Sequence, residues 1–263
     1  MPQNLGQHFL KNQIIQENIA KELKLSPQDI IFEIGGGEGD LTKAIVLKMG
    51  AKNKLIVIEK DTYLATNLKN QFSSNKQITI IEGDARYILE STIIKYSYKK
   101  AYKIIGNIPY YATGIILRLI SEFKHKPILT ILTLQREVAE RLVAKDGHAT
   151  LFSTIINFWA KPNIIFNISK NSFVPPPKVE SSLLVLKTSL TKDVKFNDFI
   201  KIVKILFKQP RKTIYNNLRA FYPTQEIEGL NKLLLARRPQ TLSQNDIKKL
   251  LIHFSKNNKL LNI

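Results

Sequence analysis

The chain has 263 residues, 44% hydrophobic and 23% charged, and is therefore long enough to bury a core of its own. It has no cysteine, which excludes disulfide scaffolds, cysteine nucleophiles and thiolate metal sites, and its four histidines lack metal-ligand spacing, so no metal is expected. Forty Lys and Arg against 21 Asp and Glu give a net charge of +19, which favours a polyanionic partner such as nucleic acid. No apolar run approaches the roughly 20 residues that span a bilayer, and no signal-peptide pattern begins the chain. A soluble cytoplasmic protein without a membrane partner is expected.

Short apolar runs alternate with helical patterns over the first two thirds of the chain. The runs have the length and composition of buried strands and lie at Ile30–Ile34, Leu55–Ile58, Ile78–Ile81, Tyr102–Ile105 and Ile128–Leu134. Helical stretches, such as Leu41–Met49 and Thr62–Phe72, lie between them. This rhythm predicts an α/β fold with a parallel, doubly wound sheet, in which ligands bind at the carboxyl ends of the strands.

The pattern changes after Lys187, where amphipathic helices punctuated by prolines follow one another. They are predicted at Val194–Phe207, Arg211–Phe221, Gln225–Leu235 and Asp246–Phe254. Ser243 and Asp246 have a spacing like that of a capping box at the start of the last helix. The sequence therefore predicts two domains, an α/β domain over residues 1–190 and a small all-helical domain over residues 191–263.

A glycine-rich turn follows the first predicted strand, in the sequence E-I-G-G-G-E-G-D-L-T that begins at Glu33. Glycines at a strand-to-helix turn let a ligand approach the backbone closely, and Gly35 and Gly37 are the candidate contacts. A dinucleotide-binding turn would need glycine where Asp40 stands. The spacing E-x-G-x-G-x-G is instead typical of methyltransferases that use S-adenosylmethionine (AdoMet). A purely structural tight turn is the alternative.

Two acids end the second and third predicted strands. Glu59 follows the second strand, where a carboxylate can accept hydrogen bonds from both ribose hydroxyls of an adenosine. Asp84, followed by Ala85, ends the third strand and can accept from the exocyclic amine of a cofactor adenine. Taken alone, Glu59 could be a solvated loop acid and Asp84 a helix cap, so both assignments depend on the motifs around them.

The tetrapeptide Asn107-Ile108-Pro109-Tyr110 ends the fourth strand and resembles the motif of methyltransferases that modify the N6 amine of adenine. This amine is a poor nucleophile because its lone pair is delocalised into the purine. The Asn107 amide oxygen and the Ile108 carbonyl can accept from both of its N–H groups, while Pro109 restricts the turn. Tyr110, with Phe173 as a second face, can stack a base taken out of its helix.

Basic side chains cluster in the predicted helical domain. They are Lys208, Arg211, Lys212, Arg219, Arg237 and Arg238. The first four are predicted to lie along the helix after Pro210, and the last two follow the next helix. Such clusters suit phosphate contacts in RNA, and the alternative is a solvated helix face.

Together these motifs are similar to those of the KsgA/RsmA-type small-subunit (16S) rRNA adenine N6-dimethyltransferase family. The similarity covers nearly the whole chain, because further segments match in order. They are Gly6–Leu10 (GQHFL), Leu134–Arg141 (LQREVAER), Phe173–Ser181 (FVPPPKVES), Phe207–Leu218 (FKQPRKTIYNNL) and Arg238–Ser243 (RPQTLS). The resemblance implies a Rossmann-like class I AdoMet-dependent methyltransferase sheet with a small C-terminal all-helical domain.

The resemblance also implies a reaction and its partner. Members of the family use AdoMet to dimethylate two adjacent adenosines in the 3′-terminal hairpin loop of 16S rRNA, within an immature small ribosomal subunit. The implied cofactor residues are His8, Leu10, Gly35, Gly37, Glu59, Asp84, Ala85 and Asn107. The target adenine would be held by the Asn107–Tyr110 turn and Phe173, and a monomer is expected.

Some segments depart from the family pattern. Gly36 stands where proline is usual, no basic residue precedes Gly6, and Gly147–Ser153 differ from the usual sequence. The first departure predicts a more flexible glycine loop, and the second concerns an RNA contact or lid residue.

Three alternatives to the small-subunit enzyme stay open. The large-subunit (23S) rRNA adenine methyltransferases of macrolide resistance share the fold, AdoMet and N-I-P-Y, although the C-terminal motifs favour the small-subunit family. A non-catalytic ribosome-assembly factor could use the same scaffold. A nicotinamide oxidoreductase is disfavoured by Asp40 and by the Asn107–Tyr110 turn.

Overall fold

The computed structural model describes residues 7–98, 100–144, 147–189 and 195–256. Its strands are β1 (Phe9–Leu10), β2 (Ile30–Ile34), β3 (Lys54–Glu59), β4 (Ile78–Glu82), β5 (Tyr102–Gly106), β6 (Leu129–Gln135), β7 (Ala160–Ile168), β8 (Phe173–Val174) and β9 (Ser181–Thr188). Its helices are α1 (Gln13–Lys21), α2 (Asp40–Val46), α3 (Thr62–Gln71), α4 (Ala85–Ser97), α5 (Tyr110–Glu122), α6 (Arg136–Val143), α7 (Leu151–Trp159), α8 (Phe196–Leu206), α9 (Ile214–Leu218), α10 (Thr224–Glu228), α11 (Lys232–Leu235) and α12 (Gln244–Lys256). Gly6 and Val194, which the sequence motifs include, lie outside the described residues.

The predicted apolar runs form the centre of the main sheet. Among the described residues this sheet has seven strands in the order β4-β3-β2-β5-β6-β9-β7, and β4 to β6 are parallel neighbours. Every residue of β2 is buried, since helices cover both faces of the sheet, and this explains the continuous apolar runs. The α/β prediction is confirmed, and the predicted strands are present with their ends moved by at most one residue.

The strands β7 and β9 extend the sheet beyond the parallel part. Strand β9 runs antiparallel to β6, with Ser181 opposite Gln135 and Lys187 opposite Leu129. Neither strand was predicted, because β7 interleaves polar residues with apolar ones and β9 follows directly on a proline-rich segment. The sheet is therefore mixed: the predicted parallel arrangement is confirmed for the five central strands and is wrong for this edge.

A short two-stranded sheet lies apart from the main one. Strand β1 pairs antiparallel with β8, with Phe9 opposite Val174 and Leu10 opposite Phe173. Leu10 and Phe173 are buried in the hydrophobic core of the α/β unit. The pairing brings the N-terminal segment beside residues more than 160 positions later in the sequence.

The chain forms two compact units, residues 1–139 with 163–188 and residues 140–162 with 189–263. The sequence prediction placed residues 140–162 in the first domain, whereas the structure groups them with the C-terminal helices. The physical reason is α7, whose apolar residues pack within the second unit. Phe158 of α7 stacks on Phe199 of α8 with ring centroids 3.9 Å apart, and Trp159 is completely buried.

Two of the predicted C-terminal helices are shortened or divided, whereas α12 is longer than predicted. The helix predicted at 211–221 covers only Ile214–Leu218, and the one predicted at 225–235 is divided into α10 and α11. The capping box at the start of α12 is confirmed: the Ser243 hydroxyl accepts from the Asp246 N–H at 3.1 Å, and the Asp246 carboxylate accepts from the Ser243 N–H at 3.0 Å. In the described part of the chain, no helix is long and apolar enough to cross a bilayer.

Candidate active site

A cavity lies at the carboxyl ends of the parallel strands, within the first unit. Its wall contains the glycine turn after β2, Glu59 at the end of β3, Asp84 before α4 and the Asn107–Tyr110 turn after β5. These segments converge because parallel strands bring their carboxyl ends to the same edge of the sheet. Leu10 and Phe173 of the small sheet also line the cavity, as does His8, which precedes β1. The structure thus brings every predicted cofactor and adenine residue to one place.

The glycine turn is a tight cradle. Gly35 and Gly37 have φ angles of +76° and +55°, a conformation that side chains other than glycine rarely adopt. A Cβ at Gly36 would stand 2.5 Å from a Val57 methyl and 2.7 Å from a Leu68 methyl, so the proline usual in the family would not fit without movement. The absence of side chains leaves backbone directly facing the cavity.

Glu59 is buried, with 4% of the residue surface exposed. One oxygen, Oε2, accepts from the Gly37 N–H at 2.8 Å, and Oε1 accepts from the Asp61 N–H at 2.9 Å. Each carboxylate oxygen can accept a second hydrogen bond. Glu59 therefore holds the glycine turn against β3 and keeps acceptor capacity for a ligand.

Asp84 is engaged by a neighbour that sequence reasoning missed. Its carboxylate accepts from Arg86 Nε at 3.0 Å and from Arg86 Nη2 at 2.5 Å, and Lys60 lies 3.3 Å away. The Arg86 guanidinium lowers the pKa of the Asp84 carboxyl to about 2, so the group is ionised at neutral pH. Asp84 also caps α4 through the Arg86 N–H at 3.0 Å, which was the alternative reading of this acid.

The Asn107 side chain has a defined orientation. Its Nδ2 donates to the His8 carbonyl at 3.2 Å, so the amide nitrogen is directed to the N-terminal segment. The amide oxygen, Oδ1, takes no part in this hydrogen bond. His8 is itself held, because its Nδ1 lies 2.7 Å from the Pro175 carbonyl oxygen. The orientation of Asn107 therefore depends on the small sheet of β1 and β8.

Tyr110 and Phe173 differ in their surroundings. The Tyr110 hydroxyl lies 2.7 Å from Ser181 Oγ at the start of β9, and its ring centroid is 5.8 Å from that of His8. Burial raises the pKa of the Tyr110 hydroxyl, so it stays protonated at neutral pH. Phe173 is 2% exposed and packs in the core, while part of it reaches the cavity wall. Their action as two faces of a base sandwich stays a prediction.

An ion-pair cluster at the edge of the cavity had no signal in the sequence. Lys11 Nζ lies 2.6 Å from Asp40 Oδ2 and also contacts the Glu38 carboxylate. Because Lys11 follows β1 and both acids belong to the glycine turn, the cluster links the N-terminal segment to that turn. In the part of the chain that the structure describes, no group of three or more acids and histidines could hold a metal ion.

Glu33 is a buried acid next to the site. It is fully buried in β2, its Oε2 accepts from the Thr42 hydroxyl at 2.7 Å, and its Oε1 has no partner among the described residues. Burial, together with the nearby charge of Glu59, raises the pKa of Glu33 to about 8, although the hydrogen bond from Thr42 acts in the opposite direction. The native state therefore binds a proton here that the unfolded chain releases above its ordinary pKa of 4.5.

This proton gives a pH-dependent stability. Since the native state binds more protons than the unfolded state between about pH 4.5 and 8, the free energy of unfolding falls as the pH rises through that window. Glu33→Gln removes the ionisable group. We therefore expect the free energy of unfolding of the variant, relative to that of the parent, to be larger at pH 8.5 than at pH 5.5. Urea unfolding at both pH values measures this, with Glu228→Gln on the surface as control. A difference between variant and parent that is identical at both pH values would contradict the prediction.

The predicted RNA-binding residues do not lie along one helix. Lys208, Arg211 and Lys212 are exposed in the turn before α9, and Arg219 is exposed at its C-terminal end. The Lys208 ammonium lies 4.6 Å from the centre of the Phe221 ring. Arg238 is exposed.

The Arg237 side chain forms hydrogen bonds within the protein. Its Nη1 donates to Asp246 Oδ2 at 3.0 Å, its Nε donates to Thr241 Oγ1 at 3.2 Å, and its Nη2 donates to the Thr241 carbonyl. This side chain therefore has a structural role at the start of α12.

A parallel sheet with a glycine turn after its first long strand, an acid after the next strand and an added antiparallel strand defines a class I AdoMet-dependent methyltransferase. The family described as "Ribosomal RNA adenine dimethylase" matches residues 2–255. The "Ribosomal RNA small subunit methyltransferase A" of Thermotoga petrophila is 34% identical, over 94% of this chain and 89% of that protein.

Solved structures agree with this classification. A dimethyladenosine transferase from Plasmodium falciparum superposes with a TM-score of 0.81 and 25% identity, covering 96% of this chain and 99% of that one. The 23S rRNA methyltransferase ErmE superposes with a TM-score of 0.74 and 19% identity, covering 94% and 99%, which shows the shared fold. This chain belongs to the ribosomal RNA adenine dimethylase family and is an AdoMet-dependent rRNA adenine dimethyltransferase.

Proposed function

We propose that this protein dimethylates two adjacent adenosines in the 3′-terminal hairpin loop of 16S rRNA, within an immature small ribosomal subunit. The observation that carries the proposal is that the Asn107–Tyr110 turn and the glycine turn line one cavity. The name and the 34% identity of the Thermotoga petrophila relative support the choice of the small subunit. The likeness to ErmE concerns the fold alone and does not favour the large subunit.

The cavity wall fits AdoMet. The backbone at Gly35 and Gly37 would approach the cofactor closely, since no Cβ intervenes, and Glu59 would accept from its ribose hydroxyls. Asp84 would accept from the adenine amine only through lone pairs that Arg86 leaves free. Ala85, His8 and Leu10 would complete the wall. When bound, AdoMet supplies a methyl group made electrophilic by a sulfonium.

The target adenosine would be activated by acceptors. We propose that Asn107 Oδ1 and the Ile108 carbonyl accept from the two N–H groups of the adenine N6 amine, while Tyr110 and Phe173 hold the ring. Acceptors placed there stabilise the positive charge that develops on the nitrogen when it forms its new bond. No general base is needed beforehand, since the methylated ammonium is acidic and releases its proton readily.

Incubation of small and large subunits, from a strain lacking the gene, with the purified protein and methyl-labelled AdoMet tests the proposal. We expect label in the small subunit only, and mapping should find two adjacent adenosines near the 3′ end of its rRNA. Label in the large subunit would support the 23S alternative, while binding to the small subunit without label would support a non-catalytic assembly factor.

Binding to the RNA should depend strongly on salt. Each phosphate contact contributes roughly −0.7 to −0.9 to the slope of log affinity against log salt. Reversing the charges of Lys208, Arg211 and Lys212 together should flatten the slope by about 2 and leave AdoMet affinity at the parental value. Filter binding of the small-subunit rRNA at salt concentrations from about 50 to about 300 mM measures the slope.

A matched control is the triple reversal of Lys48, Lys52 and Lys76. These lysines are also exposed. Lys48 and Lys52 precede β3 and Lys76 precedes β4, so they lie at the opposite edge of the sheet from the cavity. Equal flattening in both triple variants would mean that net charge, and not the basic cluster of the second unit, determines RNA binding.

A further inference from the structure

An exposed tyrosine and an arginine line the cavity, and a second exposed tyrosine lies beside the arginine. Tyr111, the second residue of α5, is 52% exposed and lines the cavity, as does Arg86 of α4. Tyr87 follows Arg86 and is 79% exposed. Arg86 shares the cavity wall with Tyr111, and its guanidinium lies beside the Tyr87 ring, so we group these three residues as the mouth patch.

The core does not require the two rings of the mouth patch. Helix α5 buries Ala112, Thr113 and Ile116 against the sheet and leaves Tyr111 outside that face. Tyr87 likewise lies outside the buried face of α4. Single exposed apolar residues are common, but here the Arg86 guanidinium adjoins the Tyr87 ring, and Arg86 and Tyr111 both line the cavity. Such groups suit stacking with nucleic-acid bases.

Arg86 is held in place before any ligand arrives. Its Nε and Nη2 are bound by Asp84, and its guanidinium carbon lies 5.5 Å from the centre of the Tyr87 ring. An arginine side chain has five N–H donors, and the bonds from Nε and Nη2 leave donors on the remaining nitrogen. Lys60, 3.3 Å from Asp84, adds a second positive charge, so the cluster of Asp84, Arg86 and Lys60 has one net positive charge and can face a phosphate.

The position of the patch determines which nucleotides could reach it. A base that is modified in a closed cavity must leave its stack and enter through the mouth, so its neighbours in the strand stay outside. We propose that the mouth patch binds the nucleotides on either side of the target adenosine, with bases stacked on Tyr111 and Tyr87 and a phosphate next to Arg86. This inference rests on the proposed function, and it assigns recognition of the loop to the catalytic unit as well as to the helical unit.

Tyrosine variants test the proposal. The ligand in this test is an rRNA hairpin that carries the target adenosines in its loop. Tyr111→Ala and Tyr87→Ala should each raise the hairpin concentration that half-saturates binding by about tenfold. Tyr111→Phe should retain the parental value, because the ring and not the hydroxyl stacks. AdoMet affinity serves as the control for folding. Tyr63→Ala is the matched control, because Tyr63 is 74% exposed at the second position of α3, outside the two helices that carry the mouth patch.

A modified RNA makes the test specific. A hairpin with abasic sites on both sides of the target adenosine should bind the parent about tenfold more weakly, and Tyr111→Ala should add little further loss, since the two changes remove one contact. Additive losses, parental binding by both alanine variants, or an equal loss with Tyr63→Ala would overturn the proposal. Should Tyr111→Ala fail to fold, Tyr87→Ala with the abasic hairpin carries the same test.

The outcome is separable from that of the proposed function. If the parent labels no small subunits, the proposed function fails whatever the tyrosine variants do. If the parent labels them and the variants bind the hairpin as the parent does, only the mouth patch fails.

Discussion

Asn107→Ala should methylate small-subunit rRNA about 100-fold more slowly than the parent, or slower still. The change removes the acceptor at Oδ1, which matters most in the transition state because positive charge develops on the amine there. It also removes the donor from Nδ2 to the His8 carbonyl, a bond of 3.2 Å. The measurement is single-turnover methyl transfer at saturating enzyme, with RNA affinity expected to change little because phosphate contacts dominate it.

Asn107→Asp separates the two contributions. Aspartate keeps an acceptor for the amine, but it has no donor for the His8 carbonyl and would set two oxygens against each other. We expect a rate between those of Asn107→Ala and the parent. Asn67→Ala, an exposed asparagine of α3, controls for the substitution itself. Transfer at the parental rate by Asn107→Ala would mean that the Asn107–Tyr110 turn is structural and that the proposed mechanism is wrong.

Glu59→Ala should weaken AdoMet binding at least about tenfold. The variant loses the charged acceptor for the ribose hydroxyls, and hydrogen bonds to charged groups contribute roughly 1.5–3 kcal/mol. It also leaves the N–H groups of Gly37 and Asp61 without their acceptor, so the glycine turn is no longer tied to β3. Isothermal titration with AdoMet measures the affinity, and far-ultraviolet circular dichroism checks that the fold survives.

The sheet offers a matched control for Glu59. Glu82 ends β4 directly opposite Glu59 in the parallel register, but it is exposed and does not line the cavity. Glu82→Ala should therefore bind AdoMet with the parental affinity. An unchanged dissociation constant in Glu59→Ala, or the same loss in both variants, would remove Glu59 from the cofactor site.

Much of the fold could be predicted because its signals are local. A buried strand such as Ile30–Ile34 is recognisable from its own residues, and the glycines that follow mark the turn. Polar residues that end successive parallel strands must meet at one edge of the sheet, so Glu59, Asp84 and Asn107 could be grouped before their contacts were known. The capping box of Ser243 and Asp246 is local in the same sense.

The helical unit was harder to predict, because amphipathic patterns do not specify partners. The apolar residues of α7 were assigned to the first domain by their place in the sequence, whereas Phe158 packs on Phe199 in the second unit. The basic residues after Pro210 were assigned to one helix, although α9 covers only Ile214–Leu218. Periodicity indicates which face of a helix is apolar, but it does not say which other face will cover it.

The sequence by itself determined the class of protein, the order of the motifs and the residues that meet at the cavity. Only the tertiary structure decided how those residues are held: Asn107 by the His8 carbonyl, Tyr110 by Ser181, and Lys11 by the acids of the glycine turn. The partners of Asn107 and Tyr110 lie 99 and 71 positions away in the chain. Hydrophobic pattern and turn chemistry are properties of neighbouring residues, whereas contacts over such separations depend on strand order and on the pairing of β1 with β8.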